Sequence, residues 1–170
     1  MKKLLILAIG ICLISACHNH AGNNSSTASQ VKTDMIQRKN LLQEQLNEQF
    51  VNAIKEDNLI KVKKLLAAGA NINTRDNFER TPLMYAIDCD IELVQFLINS
   101  GADVNAKDDI GYTALMHNIT QKYINIEIVK LLLNAGANVN VKAKWNHTPL
   151  LLANDNPELV KLLKYYGAKE

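Results

Sequence analysis

The chain has 170 residues, 48% of them hydrophobic, and carries 19 Lys and Arg against 17 Asp and Glu, a formal charge of +2. This length accommodates one ordinary domain or one short repeat array. So small a charge argues against a nucleic-acid-binding surface, which needs clustered basic side chains. Seven Gly and three Pro exclude a fibrous or low-complexity chain, and three Cys are too few for a disulfide scaffold or an all-cysteine zinc site.

The N-terminus has the layout of an export signal. Lys2 and Lys3 precede an almost wholly apolar run, residues 4–15, which is too short to span a bilayer as a mature helix. The run ends in Leu13-Ile14-Ser15-Ala16-Cys17, which resembles the lipobox of bacterial lipoproteins. The resemblance implies a signal peptide of residues 1–16 and lipidation of Cys17. Several acyl chains would hold the protein firmly on a membrane.

Two alternatives remain open for this segment, a plain secretory signal cleaved near Ala16 and an uncleaved anchor. In the lipoprotein family an Asp after the lipidated cysteine favours retention in the inner membrane. His18 stands at that position here. The resemblance therefore implies a periplasmic, lipid-anchored protein of the bacterial cell envelope, on the outer membrane rather than the inner one.

Residues 17–33 are predicted to form a flexible tether. Asn, Ser, Thr, Ala, Gly, Gln and His dominate it, with Val31 as its one large aliphatic residue. Such a segment buries too little apolar surface to offset the entropy of ordering it. His18 and His20 could contact a metal ion, but no third ligand is near them, and a polar linker is the preferred interpretation.

A repeat runs through the rest of the chain. Gly69-Ala70-Asn71-Ile72-Asn73 recurs, with small changes, from Gly101 and from Gly136, and begins again at Gly167. A second motif runs in phase with the first, and an aliphatic segment precedes each Gly-Ala pair. The second motif reads Thr81-Pro82-Leu83, Thr113-Ala114-Leu115 and Thr148-Pro149-Leu150. The whole pattern resembles the ankyrin repeat.

The resemblance implies an all-α fold, an ankyrin-repeat solenoid of about four helix-turn-helix repeats with hairpin loops, within a domain of residues 34–170. One such unit cannot bury its apolar face alone, whereas three or more stacked units can. Thr81 and Thr148 suit helix N-caps, and the repeated glycines suit C-caps. The family's His after Thr-Pro-Leu is missing from all three motifs. The repeats are expected at about residues 45–79, 80–111, 112–146 and 147–170, with a loop insertion at about 121–125.

The first repeat lacks the Thr-Pro start, and its first helix is predicted to begin near Asp34. Leu42, Leu46, Phe50 and Ile54 follow one another at four-residue spacing, with polar side chains on the other faces. This pattern favours an amphipathic helix that caps a monomeric array. A short coiled-coil dimer is the alternative.

The sequence offers no catalytic constellation. Ser100 is the only serine after the tether, and Cys89 is the only cysteine in the predicted domain. Acidic residues on both sides of Cys89 disfavour its thiolate. His117 and His147 are the domain's only histidines, and the common phosphate-loop, zinc and nucleophile-elbow motifs are missing from the sequence. We therefore expect no enzyme, no cofactor and no metal.

The hairpin tips are predicted to bind a protein partner, because the resemblance implies recognition through the loops and the concave face. Phe78, Ile110 and Trp145 fall at corresponding tips, where they would act as apolar anchors inside a polar rim. For Ile110, packing beneath its hairpin is as strongly favoured as exposure. The partner-binding candidates are Arg75, Asp76, Phe78, Lys107, Asp108, Ile110, Tyr112, Lys142, Lys144 and Trp145.

The functional hypothesis is an envelope-anchored protein-binding module that does not bind nucleic acid. An immunity or inhibitor protein against an envelope-targeted toxin or lipase is one role, and a constitutive periplasmic scaffold or stress-tolerance factor is the alternative. A hydrolytic enzyme is the least favoured function. Removal of residues 1–16 would take away Lys2 and Lys3, so 17 of the 19 basic residues would remain against 17 acidic ones. The mature chain would be formally neutral.

Overall fold

The computed structural model describes residues 24–169, with side chains from residue 28 onwards. Within this range it contains α-helices, turns and one 3₁₀ turn and no strand, which confirms the predicted all-α fold. The helices are α1 (Asn24–Lys55), α2 (Leu59–Ala67), α3 (Pro82–Ala86), α4 (Ile91–Asn99), α5 (Ala114–Ile119), α6 (Ile126–Asn134), α7 (Pro149–Leu152) and α8 (Pro157–Tyr165), and the 3₁₀ turn is Lys144–Asn146.

Helix α1 is longer than the sequence pattern predicts. The chain divides into two compact units after Leu41, and the described part of the first unit is helical from Asn24. The part of the predicted tether from residue 24 to 33 is therefore helix, and the helix does not start near Asp34. The segment contains no Gly or Pro that would stop it. Residues 1–23, which include the export signal and Cys17, lie outside the described residues.

The second unit, residues 42–170, is built from helix pairs that are capped by local chemistry. The side chains of Thr113 and Thr148 accept hydrogen bonds from Met116 N and Leu151 N and so cap α5 and α7. Thr81 stands at the N-cap of α3 without making this bond. The second helices α2, α4, α6 and α8 are each followed by a glycine with positive φ that allows the chain to leave the helix: Gly69, Gly101, Gly136 and Gly167.

One apolar core runs through the helix pairs of the second unit. Phe50 and Ile54 of α1 are fully buried in it, and Leu46 is half-buried. Leu42, which the four-residue spacing placed on the same face, is 66% exposed. Only the C-terminal part of the predicted apolar stripe is therefore covered. The linker between α5 and α6 is longer than that between α3 and α4, as the predicted insertion requires.

Asparagine side chains tie each hairpin to the next. Asn105 donates to the carbonyl of Gly136 (3.1 Å) and accepts from Asn138 N (2.7 Å), and Asn73 and Asn140 make the equivalent pairs of bonds. At the start of the array α1 supplies this contact, because Asn47 Oδ1 accepts from Asn71 N (2.8 Å). Gln43 Nε2 of the same helix donates to the carbonyl of Gly69 (3.0 Å), so two side chains of α1 replace a missing hairpin. The hairpins consequently hold fixed positions relative to one another.

Candidate partner-binding surface

Three hairpin tips form a continuous row, which we call the tip row: Phe78, Ile110 and Trp145. The hairpins share one closing bond, from Asp76 N, Asp108 N and Ala143 N to the carbonyl four residues later. Successive tips are also joined directly, because Asp109 N donates to Phe78 O (3.1 Å) and Lys144 N to Ile110 O (2.9 Å).

The two aromatic members of the tip row are exposed. Phe78 is 59% and Trp145 70% exposed, whereas Ile110 is half-buried and packs on a small cluster of Tyr112, Met116 and Val141. Between the two alternatives for Ile110, the structure therefore favours packing beneath the hairpin. The row presents two large aromatic groups with a partly covered aliphatic residue between them.

Asp108 was predicted to belong to the polar rim, and that prediction is wrong. Its side chain is 1% exposed. Its Oδ1 accepts from the backbone N–H groups of Ile110 (3.1 Å) and Tyr112 (2.7 Å), and its Oδ2 lies 2.8 Å from Nε2 of His117. Asp108 shapes the hairpin and presents no surface to a partner.

Asp76 plays the same part in the first hairpin. Its carboxylate accepts from Phe78 N (2.9 Å), from Arg80 N (2.9 Å) and from the hydroxyl of Tyr85. Burial by itself raises the pKa of Asp76, but the bonds from Tyr85, Arg80 and Phe78 outweigh it, so the pKa is lowered. Asp76 therefore stays ionised and tied to its own loop.

Tyr112 was also predicted to face a partner, and it is buried instead. Its ring packs in the cluster beneath Ile110, and its hydroxyl lies 2.5 Å from Nδ1 of His147 in the next hairpin. Burial raises the pKa of Tyr112, and the negative charge of Asp108 adds to the effect. Tyr112 thus joins two hairpins from within.

The basic candidates remain at the surface, with different surroundings. Nη1 of Arg75 donates to the carbonyls of Lys107 (2.8 Å) and Glu79 (3.0 Å), so it fastens the first tip to the second. Lys107, Lys142 and Lys144 are exposed. The third hairpin has Ala143 where the others have Asp76 and Asp108, and it carries two lysines and no acid. Of the three hairpins, the third therefore carries the net positive charge.

Trp145 has a backbone conformation that its counterparts lack. Glu79, Gly111 and Asn146 hold one positive φ in each hairpin, and Trp145 adds a second in the third (φ 58°, ψ 25°). A left-handed conformation costs a non-glycine residue about 1–2 kcal/mol. Strain of this kind is concentrated at functional sites. Sequence reasoning missed this feature, as well as Arg80, whose guanidinium lies 5.7 Å from the Phe78 ring centroid.

Gly111→Ala is expected to lower the free energy of unfolding by about 1–3 kcal/mol. Gly111 has a φ of +85°, and an added Cβ would lie 3.1 Å from the Cα of Ala143. The control is Glu79→Gly at the equivalent position, which relieves strain and loses one exposed ion pair with Arg75. Urea unfolding compares the two variants, and an alanine variant as stable as wild type would contradict the account.

Cys89 is half-buried, and its thiol ionises less readily than that of a free cysteine. Its Sγ donates to the carbonyl of Ile54 (3.2 Å). Burial raises the pKa of Cys89 to about 11, with further contributions from Asp57, Asp88 and Asp90. The predicted direction is confirmed, but burial and Asp57 were not visible in the sequence. We expect alkylation of Cys89 at pH 7.5 to be roughly a hundredfold slower than that of a free cysteine, because two pKa units remove that fraction of thiolate.

Peptide mass spectrometry after timed iodoacetamide treatment measures this rate. The rate should rise about tenfold for each pH unit up to about 11 and then level off. A plateau reached already at pH 9 would show that the thiol is not shielded as described.

Two kinds of functional feature are missing from the described residues. Between residues 24 and 169 no cluster of three or more His, Cys, Asp or Glu side chains could hold a metal ion. In the same range no helix has the length and apolar character needed to cross a membrane. His18 and His20 lie outside the described residues.

Comparison with protein families gives three overlapping matches to one family, which is described as Ankyrin repeats (3 copies). The matches cover residues 13–108, 50–143 and 89–170. Comparison with curated proteins gives no match.

Proposed function

The chain belongs to the ankyrin-repeat family, and on that premise we propose that it docks a partner protein through the tip row. Ankyrin repeats are protein-interaction modules, so protein binding is the function that the family supports. The finer proposal depends on one observation, that Phe78 and Trp145 are exposed at the tips of hairpins that hydrogen bonds hold in place. Large aromatic groups of this kind are the anchors that dominate binding energy in protein interfaces.

Preorganisation supports this assignment. The asparagine bonds and Arg75 join neighbouring hairpins, and the inward carboxylates fix the shapes of the first two hairpins, before any partner arrives. A surface that does not need to be ordered on binding avoids an entropic cost and binds more tightly for the same contacts.

Passage of envelope extract over the immobilised chain tests the proposed function. We expect one protein to be retained in an amount comparable to the bait and to be released by free chain in solution. If nothing is retained beyond what bare resin holds, the protein-binding proposal is wrong.

We further propose that this binding takes place in the bacterial envelope, with Cys17 lipidated, and that it neutralises a toxin or lipase delivered there. The lipobox-like sequence before Cys17 supports the location. Two features support the inhibitor role. The tip row is suited to binding a protein, and the sequence of the domain offers no catalytic constellation. Its test is the activity of the retained protein, which should fall when one equivalent of the chain is added. A retained protein whose activity is unchanged would favour the scaffold role.

Cys17→Ser is expected to move the protein from the membrane pellet to the soluble periplasmic fraction, because the lipid attachment point is lost. Cys89→Ser is the matched control and should stay in the pellet. Fractionation followed by immunoblotting measures the distribution. A Cys17→Ser protein that has lost residues 1–16 and still sediments with membranes would contradict the lipoprotein proposal.

A further inference from the structure

A groove lies between α7, α8 and the third hairpin, and we call it the end groove. Its volume is about 770 Å³, and its lining includes Lys142, Asn146, Leu150, Leu151, Val160 and Lys169. This is within the range of roughly 300–1,000 Å³ found for binding pockets in proteins. Lys142 and Asn146 flank the third tip, so the groove starts beside Trp145.

The equivalent face of the preceding repeat is covered. Leu115 and Met116 of α5 correspond to Leu150 and Leu151, and both are fully buried, because α7 packs on α5. In the fourth repeat Leu150 is also buried, but nothing in the described chain covers Leu151, which is 55% exposed. The end groove is therefore the stacking surface of the last described repeat.

The composition of this surface argues against stacking of another apolar repeat on it. Ile119 and Leu133 are buried in the third repeat, and the corresponding residues of the fourth are Asn154 and Lys164. Both line the end groove. Two apolar contacts have thus been replaced by polar side chains, while Leu150, Leu151 and Val160 remain apolar. An occupant must match a mixture of apolar and polar groups.

The charges on the lining have one sign. Lys142, Lys164 and Lys169 line the groove, and no described Asp or Glu does. A fixed field of one sign selects partners of opposite charge and repels those of the same charge.

We propose that the end groove binds an acidic segment of a partner protein that also carries aliphatic side chains. Its aliphatic groups contact Leu151 and Val160, and its carboxylates approach Lys142 and Lys169. This site is separate from the tip row, and its test needs no natural partner. Its failure is therefore distinguishable from failure of the proposed function.

The probe is a fluorescein-labelled amphipathic peptide composed of Leu and Glu, and its counterpart has Lys in place of every Glu. Fluorescence anisotropy with the full-length chain should show saturable binding of the Glu peptide that weakens as salt is added. The Lys peptide should not bind. Leu151→Glu and Lys142→Glu should each weaken binding by about tenfold or more.

A matched control variant and a chemical-shift measurement show whether the peptide binds in the end groove. Lys130→Glu changes an exposed lysine of α6 outside the groove and should leave the affinity unchanged. Amide chemical shifts of the labelled chain should move around Leu151 and Val160 when the Glu peptide is added.

Four results would overturn the proposal. These are absence of saturable binding, equal binding of the Lys peptide, an effect of Lys130→Glu as large as that of Lys142→Glu, and self-association of the chain that Leu151→Glu abolishes. The last result would identify a second copy as the occupant.

Discussion

Asp108→Ala is expected to lower the free energy of unfolding by about 2–4 kcal/mol, more than Gly111→Ala in the same hairpin. The carboxylate is buried and holds the N–H groups of Ile110 and Tyr112 as well as the ring of His117. Its removal leaves buried donors without acceptors. This lowers the free energy of unfolding by more than the loss of an exposed hydrogen bond does. The hairpin also contacts both neighbours, so the loss extends to adjacent repeats.

Asp109→Ala is the matched control, because Asp109 is the next residue in the chain and is exposed. Its effect should stay within about 0.5 kcal/mol. Urea unfolding followed by circular dichroism measures both variants. Equal stability of the two variants, or a larger loss for Asp109→Ala than for Asp108→Ala, would contradict the structural role assigned to Asp108.

The double variant Phe78→Ala, Trp145→Ala is expected to weaken the partner complex by about a hundredfold or more, which corresponds to about 2.7 kcal/mol. Both rings are exposed, so their removal takes little apolar area out of the core. The thermal midpoint should therefore stay nearly unchanged, or rise if alanine relieves strain at Trp145. Calorimetric titration of the purified partner measures the affinity.

Tyr165→Ala is the control for this experiment. Tyr165 lies on α8, is 83% exposed and does not belong to the tip row. Its substitution should leave the affinity within about twofold. If the double variant binds as tightly as wild type, or if it unfolds, the tip row is not the partner site.

The repeat framework could be predicted from the sequence because its signals are local. A glycine after a helix, or a threonine before one, changes the stability of a single turn regardless of what packs on it. Gly101, Gly136 and Thr113 therefore revealed the repeat phase correctly, and the structure has helices where that phase places them. The fold class followed from the family resemblance that those positions carry.

The directions of the loop side chains could not be predicted in the same way. Asp108 and Tyr112 were assigned to the surface because charged and aromatic residues in a loop resemble a binding rim. Hydrogen bonds within the hairpin and to His147 of the next hairpin turn both side chains inward. One signal was available. Asp76 and Asp108 each precede a tip residue by two positions, the spacing at which an Asp side chain bonds a backbone N–H in an Asx turn.

The extent of α1 was missed for a different reason. Helical periodicity identifies an apolar stripe but does not show which part of it is covered. Leu42 and Phe50 share the same spacing, yet Leu42 is exposed while Phe50 is buried. The polar composition of residues 24–33 favoured a tether, although none of these residues breaks a helix.

Photo-crosslinking in intact cells tests the central claim most directly. The cross-linkable residue p-benzoylphenylalanine replaces Phe78, Trp145 or, as a control, Tyr165, and the products are identified by mass spectrometry. The account predicts one common partner cross-linked from positions 78 and 145 and none from position 165. Cross-linking to that partner from position 165 alone, or from all three positions equally, would contradict it.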